Sequence, residues 1–195
     1  MLHGYGADAN DLFPLAESLG PDLLVLSIQA PLTLPFGGFA WYNLTQTQIG
    51  FREDPVSRRA SETLLAAELR KIIDREGGSL NEVTILGFSQ GAAMGYGLVI
   101  RQEPAVLGVS ISRMIALSGY MPDDLKAAVQ QVTKLPRFFI GHGEYDELIP
   151  PQATEDAASL LQRVNADVEM HLYPIAHGIS DQELSDVKRW LKIHS

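Results

Sequence analysis

The segment Val83-Thr84-Ile85-Leu86-Gly87-Phe88-Ser89-Gln90-Gly91-Ala92 constrains this chain most, because a β-branched run turns abruptly into residues suited to a helix. Valine and isoleucine favour a strand, whereas Ala92, Ala93, Met94 and Leu98 continue a helix with small residues on its first turn. Ser89 falls on the hinge between them. A hinge this sharp is strained, and Gly87 and Gly91 stand where a Cβ would meet the neighbouring strand or helix. Ser89 is thereby lifted off the sheet to a helix N-terminus, whose N–H groups and dipole favour the negative charge of an acyl-transfer intermediate. G-x-S-x-G alone is a weak pattern. The strand before it and the helix after it make Ser89 a candidate nucleophile.

A serine nucleophile needs a base, and the base needs an orienting acid. In Arg137-Phe138-Phe139-Ile140-Gly141-His142-Gly143-Glu144-Tyr145-Asp146-Glu147-Leu148-Ile149-Pro150, an apolar strand ends in a glycine-punctuated loop carrying acids. Asp146 is the candidate acid, with Glu144 and Glu147 as its rivals. In Val168-Glu169-Met170-His171-Leu172-Tyr173-Pro174-Ile175-Ala176-His177-Gly178, an alternating strand again ends in a loop, here with a histidine beside a glycine. His177 is the candidate base. Each candidate follows its own predicted strand, and in a parallel sheet the three loops emerge at one edge. The order Ser, Asp, His is that of α/β-hydrolases.

Coarse periodicity predicts alternating helices and strands. Asp8 to Leu19 reads as a helix, Leu23 to Ile28 as a strand, and Ser57 to Glu76 as an amphipathic helix stopped by Gly77-Gly78. Strands follow at Val83, Ser112 to Leu117, Arg137 and Val168. Helices are expected after Ser89, near Asp123 to Gln131, from about Gln152 to Val164 and from about Asp181 to Ile193. This pattern predicts an α/β fold with a mostly parallel, doubly wound sheet, helices on both faces and no large lid. With 195 residues, 46% of them hydrophobic, and no linker or repeat, residues 1–195 read as a single domain.

The chain resembles the bacterial carboxylesterases of the phospholipase/carboxylesterase family, which also contains the acyl-protein thioesterases. The resemblance runs through Leu2-His3-Gly4-Tyr5-Gly6, Gly87-Phe88-Ser89-Gln90-Gly91, His142-Gly143-Glu144-Tyr145-Asp146-Glu147-Leu148-Ile149-Pro150 and His177-Gly178-Ile179. It implies an α/β-hydrolase fold, with Ser89 as nucleophile, Asp146 as acid, His177 as base and the backbone N–H groups of Tyr5 and Gln90 as the oxyanion hole. Ala92 stands where many relatives have glycine, and Ile149 where valine is common; neither change removes a catalytic group. In the family a hydrophobic strand precedes the oxyanion segment, between the strands read here at Leu23 and Val83. Only Met1 and Leu2 precede His3. That strand is therefore expected to be missing, with Met1 an internal start. The alternative is a sheet that closes up or borrows a strand from a second copy, as a homodimer.

The implied activity is serine carboxylic-ester hydrolysis through an acyl-enzyme, on short- to medium-chain esters, with lysophospholipids or acyl-protein thioesters as the alternative. A catalytically impaired binding protein on the same fold is the alternative of another class. The aromatic-rich stretch from Phe36 to Leu44 places Trp41 and Tyr42 as candidate pocket walls, against the plainer reading that they pack the core. His3 and His142 read as hydrogen-bonding residues that shape their loops, His171 as an ordinary strand histidine, and Asp123 and Asp124 as the acidic first turn of a helix.

Charge narrows the partners. Fifteen Lys and Arg against 24 Asp and Glu give a formal charge of −9, which opposes nucleic acid and anionic membrane surfaces. A small-molecule ester or thioester is the expected partner. The absence of cysteine removes disulfides and a thiolate nucleophile from consideration. No apolar run reaches the ~18–20 residues of a membrane span, and no basic-then-apolar leader is evident, so a cytoplasmic location is expected. No His/Cys/Asp/Glu grouping has metal-ligand spacing, and neither a metal nor an organic cofactor is expected.

Overall fold

The computed structural model describes residues 1–20, 23–48, 50–75, 82–101 and 110–194. The N-terminal part is built from short pieces. A single 3-10 turn, Phe13–Leu15, leads into helix α1 (Ala16–Leu19), so the helix expected from Asp8 forms only at its C-terminal end. The reason is local: the Asp8 carboxylate accepts from the Asn10 N–H at 2.7 Å, a turn that competes with helix, and Pro14 then sets the first helical turn. Two small antiparallel pairs follow, β1 (Leu32–Thr33) with β2 (Phe39–Ala40), and β3 (Leu44–Thr47) with β4 (Gly50–Glu53). The second hairpin was not anticipated from the aromatic-rich stretch.

Helix α2 (Pro55–Arg75) starts slightly before the expected Ser57 because Asp54 caps it. The Asp54 carboxylate accepts from Val56 N–H at 3.1 Å and Ser57 N–H at 3.2 Å, and Pro55 occupies a first-turn position that needs no donor. Its expected stop at Gly77-Gly78 lies outside the described residues. Then come β5 (Glu82–Phe88), α3 (Gln90–Arg101), β6 (Ser110–Leu117), α4 (Asp123–Ala128), β7 (Arg137–Gly143), α5 (Pro151–Arg163), β8 (Val168–Tyr173) and α6 (Asp181–Ile193). The acidic pair Asp123-Asp124 does open α4, and a capping box between Ser180 and Glu183 opens α6.

Strands β5, β6, β7 and β8 form one parallel sheet in that order. Chain order and spatial order coincide, so the loops after all four strands leave the same edge. The stretch Leu23 to Ile28 is not a full strand; it meets the sheet at Ile28, which bridges Leu2 in parallel. Leu2 bridges Gly87 on its other side, its N–H donating to Leu86 O at 2.8 Å while Phe88 N–H donates to Leu2 O at 3.1 Å. The position between Ile28 and β5 is thus taken by Met1-Leu2.

Period-two alternation splits the strand residues between two cores. Ile85, Met114, Ala116, Phe138 and Ile140 face α2, α3, α4 and α5, while Leu86, Ile115, Leu117 and Phe139 face α1 and α6 through Leu19, Val187 and Trp190. Both faces are covered, as a parallel sheet requires. Among the described residues no helix is long and apolar enough to cross a membrane.

Candidate active site

Ser89 sits immediately past β5 with φ +54°, a left-handed conformation that costs a non-glycine residue roughly 1–2 kcal/mol. The surrounding structure imposes it. Ser89 N–H donates to Leu117 O at 3.0 Å, and Ser89 O accepts from Ala92 N–H at 3.0 Å, so the residue belongs to the sheet through its nitrogen and to α3 through its oxygen. The two glycines have a steric explanation. A Cβ on Gly87 would strike the Gly91 carbonyl, and one on Gly91 would strike the carbonyl of Leu2.

The acid and histidine loops meet. His177 Nδ1 donates to Asp146 Oδ2 at 2.7 Å, and Asp146 Oδ1 accepts from the N–H groups of Leu148 at 2.9 Å and Ile149 at 3.0 Å. Asp146 is buried, whereas its rivals Glu144 and Glu147 are exposed. A carboxylate with one oxygen held by backbone donors presents the other in a fixed direction. His177 packs over the Phe88 ring, with centroids 4.9 Å apart, and keeps 17% side-chain exposure toward the cleft.

The loop before Ser89 in space is held by His3. Its Nε2 accepts from Ala30 N–H at 3.1 Å, and its Nδ1 contacts Gly4 O at 2.8 Å. Ala30 N–H can only donate and Gly4 O can only accept, so the ring is the neutral Nδ1–H tautomer. Burial also pushes its pKa below the ordinary histidine value. Trp41 Nε1 donates to His3 O at 2.8 Å. Trp41 therefore lies beneath this loop, fully buried, and takes no part in lining the cavity; Tyr42 does line it. Large aromatics pack the core by default, and the indole N–H found its partner there.

Ser89, His177, Gly4, Tyr5, Gln90 and Tyr42 share one cavity of about 890 Å³. Its rim carries exposed apolar side chains, Phe36, Phe51 and Leu148. One wall is polar: Tyr42 and Tyr120 hydroxyls lie 2.7 Å apart, and Tyr120 donates to Glu53 at 2.8 Å. Glu53 in turn pairs at 3.3 Å with Arg58, a fully buried arginine that also holds Glu62 and Asp124. The wall is thereby tied to β4, α2 and α4.

The side-chain roles of Gln90 and Ser118 gave no local signal in the sequence. The Gln90 side chain accepts from Trp41 N–H at 2.9 Å and donates to Tyr42 O at 3.0 Å, pinning a segment almost fifty residues away. Ser118, at φ +45°, donates through Oγ to Gly178 O at 3.1 Å and steadies the His177 loop. Glu183 is buried three residues after Ser180, and its Oε1 has no hydrogen-bond partner among the described residues. Burial raises its pKa to about 7. His171 is partly exposed and pairs with Glu169 at 2.8 Å, away from this site.

With this fold and site in view, comparison with known proteins places the chain. The family model described as Phospholipase/Carboxylesterase matches residues 1–195, so the chain belongs to the phospholipase/carboxylesterase family of α/β-hydrolases. Acyl-protein thioesterase 1 of Debaryomyces hansenii is 28% identical over 137 residues, covering 68% of this chain but only 56% of that protein. The chain thus spans little more than half the length of that thioesterase. A rice (Oryza sativa subsp. japonica) protein named "probable inactive carboxylesterase" is 28% identical over 197 residues, covering 95% of this chain and 72% of the relative. The crystal structure of esterase PE8 superposes with a TM-score of 0.84 at 24% identity, covering 98% of this chain and 89% of that one, a likeness of fold.

Proposed function

We propose that the chain is a serine carboxylic-ester hydrolase in which Ser89 is the nucleophile, His177 the general base and Asp146 the orienting acid. The observation that carries this is the 2.7 Å hydrogen bond between buried Asp146 and His177, whose ring lines the same cavity as the strained Ser89. With Nδ1–H engaged by Asp146, the neutral His177 ring has Nε2 as its bare acceptor. It takes the Ser89 hydroxyl proton as Oγ attacks the ester carbonyl. The oxyanion is received by the backbone N–H groups of Tyr5 and Gln90, the latter at the start of α3 where the helix dipole favours it. The protonated His177 then delivers its proton to the leaving alcohol. Water enters, gives a proton to His177 and attacks the acyl-enzyme, releasing the acid and restoring Ser89.

The apolar rim and the cavity fit an apolar acyl group, and short- to medium-chain carboxylic esters are the substrates proposed first. Lysophospholipids and acyl-protein thioesters rank behind, the latter supported by the similarity to the Debaryomyces hansenii thioesterase. The "probable inactive" rice relative favours a second reading, a binding protein without turnover. The simultaneous presence of Ser89, Asp146 and His177 argues against it. Hydrolysis of p-nitrophenyl esters of graded chain length, with fluorophosphonate labelling of Ser89, separates the two: neither turnover nor labelling would leave the binding protein.

A further inference from the structure

Asp146 faces two histidines. Besides His177 Nδ1 at 2.7 Å, its Oδ2 lies 3.2 Å from Nε2 of His142, a side chain with no solvent exposure. The His142 N–H does not aim at the carboxylate. Nε2 lies 2.8 Å from the Ile149 carbonyl, which can only accept, so Nε2 carries a proton and donates it there. On the opposite side of the ring, Nδ1 lies 2.6 Å from the Thr154 hydroxyl, which is also 2.8 Å from Gly119 O. The Thr154 hydroxyl donates its proton to the Gly119 carbonyl and so ties the ring to that loop. The charged or titratable groups facing the ring are Asp146 and His177; burial outweighs the carboxylate and pushes the His142 pKa below the ordinary histidine value.

Ile149 is the link. Its N–H holds Asp146 Oδ1 at 3.0 Å, and its carbonyl is held by His142. The ring is fixed in turn to α5 through Thr154 and to the loop after β6 through Gly119. The acid's backbone support is thus itself supported from two neighbouring elements. If the Ile149 carbonyl were released, the turn from Asp146 to Ile149 could rotate, and Oδ2 would swing with it. Angular error at a catalytic carboxylate is costly, since a displacement of about 1 Å at a catalytic group can lose roughly 100-fold in rate.

We propose that His142 is a positioning residue for the acid: by holding the Ile149 peptide it keeps Asp146 Oδ2 aimed at His177 Nδ1. This rests on the reading of Asp146 and His177 as acid and base. The test compares His142→Leu, which removes both ring nitrogens, with His142→Gln, whose amide can place an N–H toward Ile149 O. In His142→Leu, kcat should fall roughly 10- to 100-fold with KM within about twofold. The acid limb of the kcat/KM profile should move to lower pH, because an unaligned carboxylate no longer favours the protonated base. His142→Gln should restore both the rate and the position of the limb.

A general loss of stability would lower the yield of both variants without moving the limb. Unchanged kcat in His142→Leu, or equal losses in both variants with an unmoved limb, overturns the inference. If His142→Leu is not recovered folded, Thr154→Val decides: a smaller loss of kcat with the same displacement of the limb supports the role, and wild-type behaviour overturns it. Fluorophosphonate labelling of Ser89 in the wild-type chain separates the two levels. Without labelling, the acid–base reading fails and the inference falls with it; with labelling and full activity in the variants, the inference alone falls.

Discussion

Gly91 lies directly against the carbonyl of Leu2, so closely that a Cβ on the glycine would overlap that oxygen. Leu2 is hydrogen-bonded to Leu86 and Phe88, the strand that delivers Ser89. The first turn of α3 therefore rests on the segment that leads into the His3–Tyr5 loop, and the proposed nucleophile and the proposed oxyanion donors are held in one contact. Gly91→Ala should force that contact apart. Its expected result is a loss of esterase rate out of proportion to the small change in side-chain volume, measured with a p-nitrophenyl ester on folded protein; an active, unperturbed Gly91→Ala would show that the contact tolerates movement.

Ser89→Ala and His177→Ala should each remove most esterase activity, on the order of 10³-fold or more in kcat, because triad members act as a unit. Asp146→Asn should cost comparably, since the wrong tautomer of His177 is then favoured. Glu144→Gln and Glu147→Gln, on exposed carboxylates, should leave the rate near wild type. Retention of more than about a tenth of the rate in Ser89→Ala would remove Ser89 from the mechanism.

Glu183 makes stability depend on pH. Its carboxyl is raised from 4.5 to about 7 by burial, so the fold prefers the protonated form. That contribution is fully present below about pH 4.5 and is lost as pH rises through about 7, amounting to on the order of 3 kcal/mol. Glu183→Gln stays neutral and keeps an oxygen for the Ser180 N–H. Thermal unfolding across this range should show the variant gaining on the wild type as pH rises; parallel curves would mean the carboxyl is not titrating in the fold.

Arg58 is the counter-charge for a buried acid cluster. Arg58→Met leaves Glu62, at 8% exposure, with a weaker partner in Arg101 at 3.7 Å, and should destabilise by roughly 3–5 kcal/mol. For a chain of this size that lowers Tm by roughly 6–20 °C. Arg70→Ala on the same helix breaks an exposed pair with Asp74 and should leave stability close to wild type. Calorimetry showing similar losses for both would refute the contrast.

Local chemistry made much of this protein legible from its residues. The strand-to-helix hinge at Ser89 is written in β-branched residues, two glycines and small helix formers, and the β5 to β8 strands and their helices follow from periods of two and 3.6. Asp146 and His177 could be singled out as candidates because each follows a strand at a glycine-marked loop, and in the fold they lie 2.7 Å apart. The helix over Asp8 to Leu19 and the strand over Leu23 to Ile28 were misread because a side-chain turn overrode one and a single bridge sufficed for the other. What only the tertiary structure decided is which groups separated by tens of residues would meet: Gln90 with Trp41 and Tyr42, Ser118 with Gly178, Tyr120 with Glu53, and Thr154 with His142. Those meetings depend on the parallel order of four strands bringing their following loops to one edge. Periodicity sets where a strand lies and which side faces a core, but side-chain hydrogen bonds across loops depend on distances of tenths of an ångström that arise only once the layers have packed.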